Sequence, residues 1–308
     1  MSKPILCIYH GNCADGFGAA WAVRHALGDQ VEFHPGKYGE TPPDVTDRHV
    51  VMVDFSYKRP VIDEMAKHAS SILIIDHHKT AAEDLQGFPE PVDLWAEHLG
   101  EAKANPAWPK VHALFDMNRS GAGMAWDFFH GTTRPFLINL IEDRDLWLFE
   151  MSPTKNVCAA LFSYPYDFET WDCLMLDVAN PNGPDILGQT LLLDHEGEAI
   201  NRKHMKDVQS LIDSAANKMV IAGHEVPVLN APHFYSSDAG HIMAQGQPFA
   251  ACYWDTASGR TFSLRSTDEG LDVSEIAKMF GGGGHRNAAG CRLSVDQVTA
   301  APYGPLAA

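Results

Sequence analysis

The run Ile72-Leu73-Ile74-Ile75-Asp76-His77-His78 decides the fold. Four consecutive apolar, mostly β-branched residues read as a strand buried on both faces, the kind found inside parallel sheets. The run then stops on a carboxylate and two imidazoles. Such groups cost solvation inside a core, so they belong at the strand's C-terminal end, where open α/β sheets bind ligands. Working outward, the same form recurs: Ile5 to Tyr9 ends at His10, Val50 to Val53 ends at Asp54, and Val31 to Phe33 supplies a fourth strand. Between the first two strands, Ala19, Ala22, Val23, Ala26 and Leu27 fall on one helical face that ends at Gly28. Strand, helix and strand in alternation predict a parallel sheet with right-handed crossovers, so the fold class is α/β. Three strand ends then offer imidazole and carboxylate to one place. Oxygen and nitrogen donors without thiolate suit Mn²⁺ or Mg²⁺ better than structural zinc. A fourth candidate is Asp143, where the apolar run Leu140-Ile141 meets acidic residues.

The 308 residues predict two domains: an N-terminal parallel-sheet domain over 1–185, a helical linker over 186–218, and a smaller α/β domain over 219–308. The linker shows Leu191, Leu192, Ile200, Met205, Val208, Leu211 and Ile212 interleaved with charges, as one or two helices. Helices are also expected over 120–129, 135–140 and 273–280, and strands at 220–221, 226–229, 250–253 and 261–264. Residues 84–110, rich in Pro, Glu and Asp, read as an irregular insertion. With 40 acidic and 23 basic residues the net charge is −17, which argues against a broad surface for long duplex DNA or an anionic membrane. The six cysteines show no Cys-x-x-Cys pair, so neither a disulfide framework nor a zinc ribbon is indicated. The N-terminal apolar run is too short for a signal peptide and nothing approaches a membrane span, so the expectation is a cytoplasmic protein.

Asp76-His77-His78, with His10 and Asp15-Gly16 before it, Asp54 between and Asp143 after, resembles the DHH phosphoesterase superfamily. The segment Gly281-Gly-Gly-Gly-His285-Arg286-Asn-Ala-Ala-Gly290, preceded by Arg265-Ser266, is similar to the glycine-rich signature of that family's C-terminal DHH-associated domain. The resemblance implies a two-metal active site, with Mn²⁺ the usual ion and Mg²⁺ or Co²⁺ as substitutes, between a catalytic and a substrate-holding domain. By position, Asp54 would bridge the ions, Asp15, His77 and Asp143 would complete one site, and His10 would serve the other. Asp76 would orient a neighbouring ligand, and His78 would contact the scissile phosphate. Asp54, Asp76, His77 and His78 form the implied catalytic group. Members usually show Asp-x-Asp-Gly in the first motif; here Cys13 stands where the first aspartate is expected, so either an Asn12 carbonyl oxygen or a Cys13 thiolate completes the site, or Cys13 is a small buried thiol.

Read physically, the tetrad containing Gly283 and Gly284 lets backbone amides approach a phosphate, while Arg265, Ser266, His285 and Arg286 add charge and hydrogen bonds; substrate binding is assigned to these residues and His78. The expected activity is hydrolysis of a phosphodiester or phosphomonoester in a short nucleotide by metal-activated water. The alternatives are an exopolyphosphatase and a nucleotide-binding regulator without turnover. The expected partner is a small nucleotide or phosphate, with a homodimer left open.

Overall fold

The computed structural model describes residues 4–92, 95, 98, 100, 102, 107–175 and 186–300. The chain divides into two compact units, Met1–Asn201 and Arg202–Ala308.

The first unit is built on five strands: β1 (Ile5–His10), β2 (Val31–Gly36), β3 (His49–Val53), β4 (Ser71–Asp76) and β5 (Val111–Phe115). They lie in the order β2-β1-β3-β4-β5 and every pairing is parallel. Because β1, β3 and β4 are neighbours in register, with Tyr9 opposite Val53 and Val53 opposite Ile75, their C-terminal ends emerge side by side. His10, Asp54 and Asp76 therefore leave the sheet at one edge.

Alternate strand residues feed two cores. Cys7, Val51, Val53, Leu73 and Ile75 pack on one face with the helices α1 (Ala14–Leu27), α4 (Gly121–His130) and α5 (Phe136–Asp145). Leu6, Ile8, Val50, Met52, Ile72 and Ile74 pack on the other with α2 (Arg59–His68), which contributes Ile62 and Met65. Each such side chain, fully buried, stabilises the fold by roughly 1.5–3 kcal/mol. A short helix α3 (Lys79–Asp84) follows the Asp76-His77-His78 turn, and α6 (Thr154–Leu161) and α7 (Phe168–Met175) extend the first core. Trp126 and Phe128 are core residues.

Sequence patterning misses β5, because the Pro-rich stretch before it carries no strand signal; pairing along β4 supplies what local preference does not. Part of the 84–110 stretch, including Ala104 to Pro106, lies outside the described residues; of those described, 95, 98, 100 and 102 are helical, so the stretch is not irregular throughout. Helix α5 does not stop near residue 140 but runs to Asp145, carrying its acidic residues into the last turn.

The linker region forms one 30-residue helix, α8 (Ile186–Ala215), which passes through the division at 201/202. In the second unit, β6 (Asn217–Ile221), β7 (His224–Asn230), β8 (Ala250–Thr256), β9 (Gly259–Arg265), the two-residue β10 (Gly283–Gly284) and β11 (Ala288–Leu293) form a sheet ordered β10-β11-β9-β8-β7-β6. Only the β7–β8 pairing is parallel. Helices α9 (Ser236–Met243), α10 (Val273–Met279) and α11 (Val295–Ala300) accompany it, with Phe249, Phe262 and Leu264 at the centre of its core. No helix among the described residues is long and apolar enough to cross a membrane.

Candidate metal centre

Asp54 directly follows β3 and adopts a left-handed backbone, φ 53°, which turns the chain sharply at the strand end. For a non-glycine residue that conformation is uncommon and costs energy, and such strain concentrates at functional sites. Its carboxylate, 1% exposed, lies at the centre of the site. Asp54 Oδ1 is 3.1 Å from His77 Nε2 and 3.9 Å from His78 Nδ1, while Oδ2 is 3.4 Å from His10 Nδ1. His77 Nε2 also faces Asp15 Oδ2 and Asp145 Oδ2, each at 3.6 Å. Two groups of donor atoms result, His10 with Asp54 and His78, and Asp15 with Asp54 and His77, each gathered within 4.8 Å. Asp54 belongs to both.

The supports of these side chains are equally specific. Asp15 lies in the first turn of α1, and its carboxylate accepts from the backbone N–H groups of Gly121 (2.6 Å) and Ala122 (2.9 Å) at the start of α4. A helix N-terminus is a natural seat for a negative charge. The approach is close: a Cβ on residue 121 would lie 2.4 Å from Asp54 Cβ and 2.9 Å from Asp15 Oδ2, so only glycine fits. Ser120 caps α4 by accepting from Gly123 N, and its own N–H donates to Glu142 on α5. Arg134 ties Glu142 to Asp127. Asp76 takes no place among the facing donors. Its Oδ1 accepts from His77 N (2.8 Å) and His78 Nδ1 (2.7 Å), and its Oδ2 accepts from Ser56 Oγ (3.1 Å), so it fixes the orientation of His78.

Electrostatically the cluster is crowded. Burial acts to raise the Asp54 carboxyl, but hydrogen bonds and charges from His10 and His77 outweigh it and hold the group well below the usual range. Burial opposes charge on His10 and His77 too, yet Asp54 and Cys13 for His10, and Asp54, Asp145 and Asp15 for His77, lift both well above the ordinary imidazole value. Asp15 and Asp145 are pushed up by burial first; for Asp15 the charges of Asp54 and Asp145 add to it, and for Asp145 the charge of Asp54 does, against the opposing pull of His77. Among the described residues, the ion pairs of Asp15 and Asp54 are to histidine alone.

These residues fit divalent cations. Among the described residues Asp54 Oδ2 is buried with no well-formed hydrogen bond, its nearest partner being His10 Nδ1 at 3.4 Å, so room and need remain for a further positive charge on that oxygen. The donors are hard carboxylates and borderline imidazoles, a set suited to Mn²⁺, Mg²⁺ or Co²⁺.

The structure brings His10, Asp15, Asp54, His77 and His78 together and corrects the expectation for Asp143. Asp143 accepts from the backbone N–H groups of Glu150 (2.8 Å) and Met151 (3.1 Å) and from the Thr154 hydroxyl. Its carboxylate is consumed in organising the loop after α5, where Trp147 and Phe149 have positive φ. Asp145, two residues on, is the one that faces His77. Nothing in Glu142-Asp143-Arg144-Asp145 distinguishes the two aspartates before the helix is built. Cys13 precedes α1 and its thiol lies beside the His10 ring, whereas Asn12 is exposed in a left-handed turn.

In the second unit, the residues expected to bind phosphate are held by the fold itself. The Arg265 guanidinium donates to Ser263 Oγ, Leu264 O and Ser237 Oγ. Ser266 is fully buried, its hydroxyl donating to Arg286 O. Arg286, although exposed, donates to the carbonyls of Thr267, Asp268 and Gly270 and to Asn287 Oδ1, and so clamps a turn. Gly283 and Gly284 form β10, and His285 N donates to Ala288 O in the same hairpin. A Cβ on Gly282 would lie 2.0 Å from Gly290 O, so tight backbone packing alone calls for glycine there.

Residues 242–301 match the DHHA1 domain. The chain is 29% identical to an uncharacterized protein of Acanthamoeba polyphaga mimivirus, over 94% of this chain and 67% of that one. It is 24% identical to the oligoribonuclease NrnB of Bacillus subtilis, over 77% of this chain and 56% of that one, so it spans little more than half that relative's length. Among solved structures, the DHH domain of a member of the s1p family of ribosomal proteins is similar in fold, with a TM-score of 0.54 at 13% identity, covering 94% of this chain and 82% of that one. Asp76-His77-His78 at the end of a parallel-sheet strand, the DHHA1 match over residues 242–301 and the likeness to an oligoribonuclease together support the DHH phosphoesterase superfamily as the family of this chain.

Proposed function

We propose that this protein hydrolyses a phosphodiester or phosphomonoester bond in a short nucleotide, using two divalent cations, with Mn²⁺ the preferred ion. The observation that carries this reading is the Asp54 carboxylate shared by two donor groups on either side of it. His10 and Asp54 would hold one cation, and Asp15, Asp54, His77 and Asp145 the other. When bound, such a pair supplies an acidified water as nucleophile and neutralises charge building on the phosphate. The remaining chemistry belongs to the chain. Asp76 holds His78 through Nδ1 and so fixes how that ring would face the phosphate. The amides of Gly121 and Ala122 aim Asp15 and favour its charged form against the effect of burial.

A short nucleotide substrate is supported by the oligoribonuclease among the relatives and by the net charge of −17, which disfavours long polyanions and duplex DNA. In the DHHA1 domain, Arg265 and His285 are the proposed nucleotide contacts. The setting proposed is the cytoplasm. The test is a panel of dinucleotides, nucleotide 3′,5′-bisphosphates, cyclic dinucleotides and polyphosphate, each with and without Mn²⁺. Turnover of the nucleotides only with metal supports the reading; preference for polyphosphate, or no metal-dependent turnover, overturns it.

A further inference from the structure

Tyr38 stands in the turn after β2, at the same sheet edge as the metal centre, and is 50% exposed. Its ring packs against Phe55 (centroids 4.9 Å apart, interplanar angle 37°) and lies edge-on to His10 at 5.4 Å and to His78 at 6.2 Å. Phe55 is fully buried and is braced in turn by Tyr57, edge-on at 4.9 Å. The three aromatic rings form a ladder whose inner two are fixed in the core and whose outermost is open to solvent. A lone exposed aromatic needs no explanation. This one is held rigidly by a buried support, and it touches both imidazoles that flank Asp54.

We propose that Tyr38 is the stacking surface for the nucleobase attached to the reacting phosphate. The proposal rests on the nucleotide reading above and deepens it: the same site would select a phosphate ester carrying a base over one that carries none. A base has a π-face whatever its identity, so stacking on one ring gives affinity without choosing among bases. The support from Phe55 matters because a pre-positioned ring loses little freedom when the base arrives.

The test measures binding, so that it stands apart from turnover. Mn²⁺-loaded wild type, Tyr38→Phe and Tyr38→Ala are titrated calorimetrically with adenosine 5′-monophosphate, uridine 5′-monophosphate and ribose 5-phosphate. Stacking predicts that wild type binds both nucleotides more tightly than ribose 5-phosphate, by about 5- to 150-fold. Tyr38→Phe keeps that preference, and Tyr38→Ala abolishes it while leaving ribose 5-phosphate affinity within about twofold. Equal loss of all three ligands in Tyr38→Ala would mean that the ring acts on the imidazoles or the cations, and would overturn the proposal. So would wild type showing no preference for a base, or Tyr38→Phe behaving like Tyr38→Ala. Failure of the phosphoesterase reading is seen separately, as the absence of metal-dependent hydrolysis of a dinucleotide by wild type.

Discussion

Replacing Gly121 by alanine tests whether the metal centre is held by the start of α4. The added methyl group would sit 2.4 Å from Asp54 Cβ and 3.0 Å from Asp54 Cα. To reach ordinary contact, the helix start and the β3 end must separate by about 1 Å, since a packed interior does not absorb such overlap for nothing. Neither side yields easily: Asp54 is in a left-handed turn behind a central strand, and Ser120 is pinned through Glu142 to Arg134. Overpacking of this kind costs about 1–3 kcal/mol. In a unit of this size, that lowers the melting temperature by several degrees, at about 2–4 °C per kcal/mol. The same displacement draws the Gly121 and Ala122 amides away from Asp15, and loss of such an orienting contact weakens metal affinity by about 10- to 100-fold. Isothermal titration with Mn²⁺ and thermal denaturation of the metal-free protein read the two effects independently. If Gly121→Ala melts normally and binds Mn²⁺ as wild type does, the close approach of α4 to Asp54 is not what shapes the site.

Asp145→Asn is expected to lower Mn²⁺ affinity and turnover by about 100-fold with little loss of stability, whereas Asp143→Asn should destabilise the loop after α5 and leave metal affinity within a fewfold; the reverse pattern in calorimetry and urea melts would return Asp143 to the metal set. Arg286→Ala should lower the melting temperature through the turn that its guanidinium clamps, with KM for a dinucleotide unchanged, and a selective rise in KM at normal stability would instead make Arg286 a substrate contact. Acid sensitivity has a source far from the metal centre. His98, buried against His112 with neither ring nitrogen hydrogen-bonded among the described residues, has its pKa lowered to about 4 by burial and then by His112. Since the unfolded chain takes up that proton first, this group favours the fold above about pH 6.5, and the contribution, on the order of 3 kcal/mol, is lost as the pH falls towards 4. Urea melts at pH 7 and pH 4.5 should therefore converge in His98→Leu, and an undiminished gap would assign the sensitivity elsewhere.

The parallel sheet was legible because its central strands are buried on both faces and read as unbroken apolar runs, and because each stops on a polar residue. β5 was not legible, since its pairing with β4 and not its own composition makes it a strand. At the site, strand ends announce themselves, so His10, Asp54 and the Asp76-His77-His78 turn could be read from spacing. Helix ends do not. Asp143 and Asp145 have the same chemistry, and only the rotation of α5 sends one to the loop and the other to His77. Tyr38 was invisible for a related reason, because its neighbours come from three different strand ends. Arg286 was read as a phosphate contact since sequence shows a guanidinium beside glycines but not the carbonyls that occupy it.

The adjacency of β1, β3 and β4 also sets when in folding a cation can be held. The donors run from residue 10 to residue 145, and no two that would share a cation lie close along the chain. An extended or half-assembled chain has nowhere to put the ion, so binding is confined to the native state and cannot nucleate it. Metal should therefore slow unfolding while leaving the refolding rate nearly untouched, acting as a latch fastened after the sheet has closed.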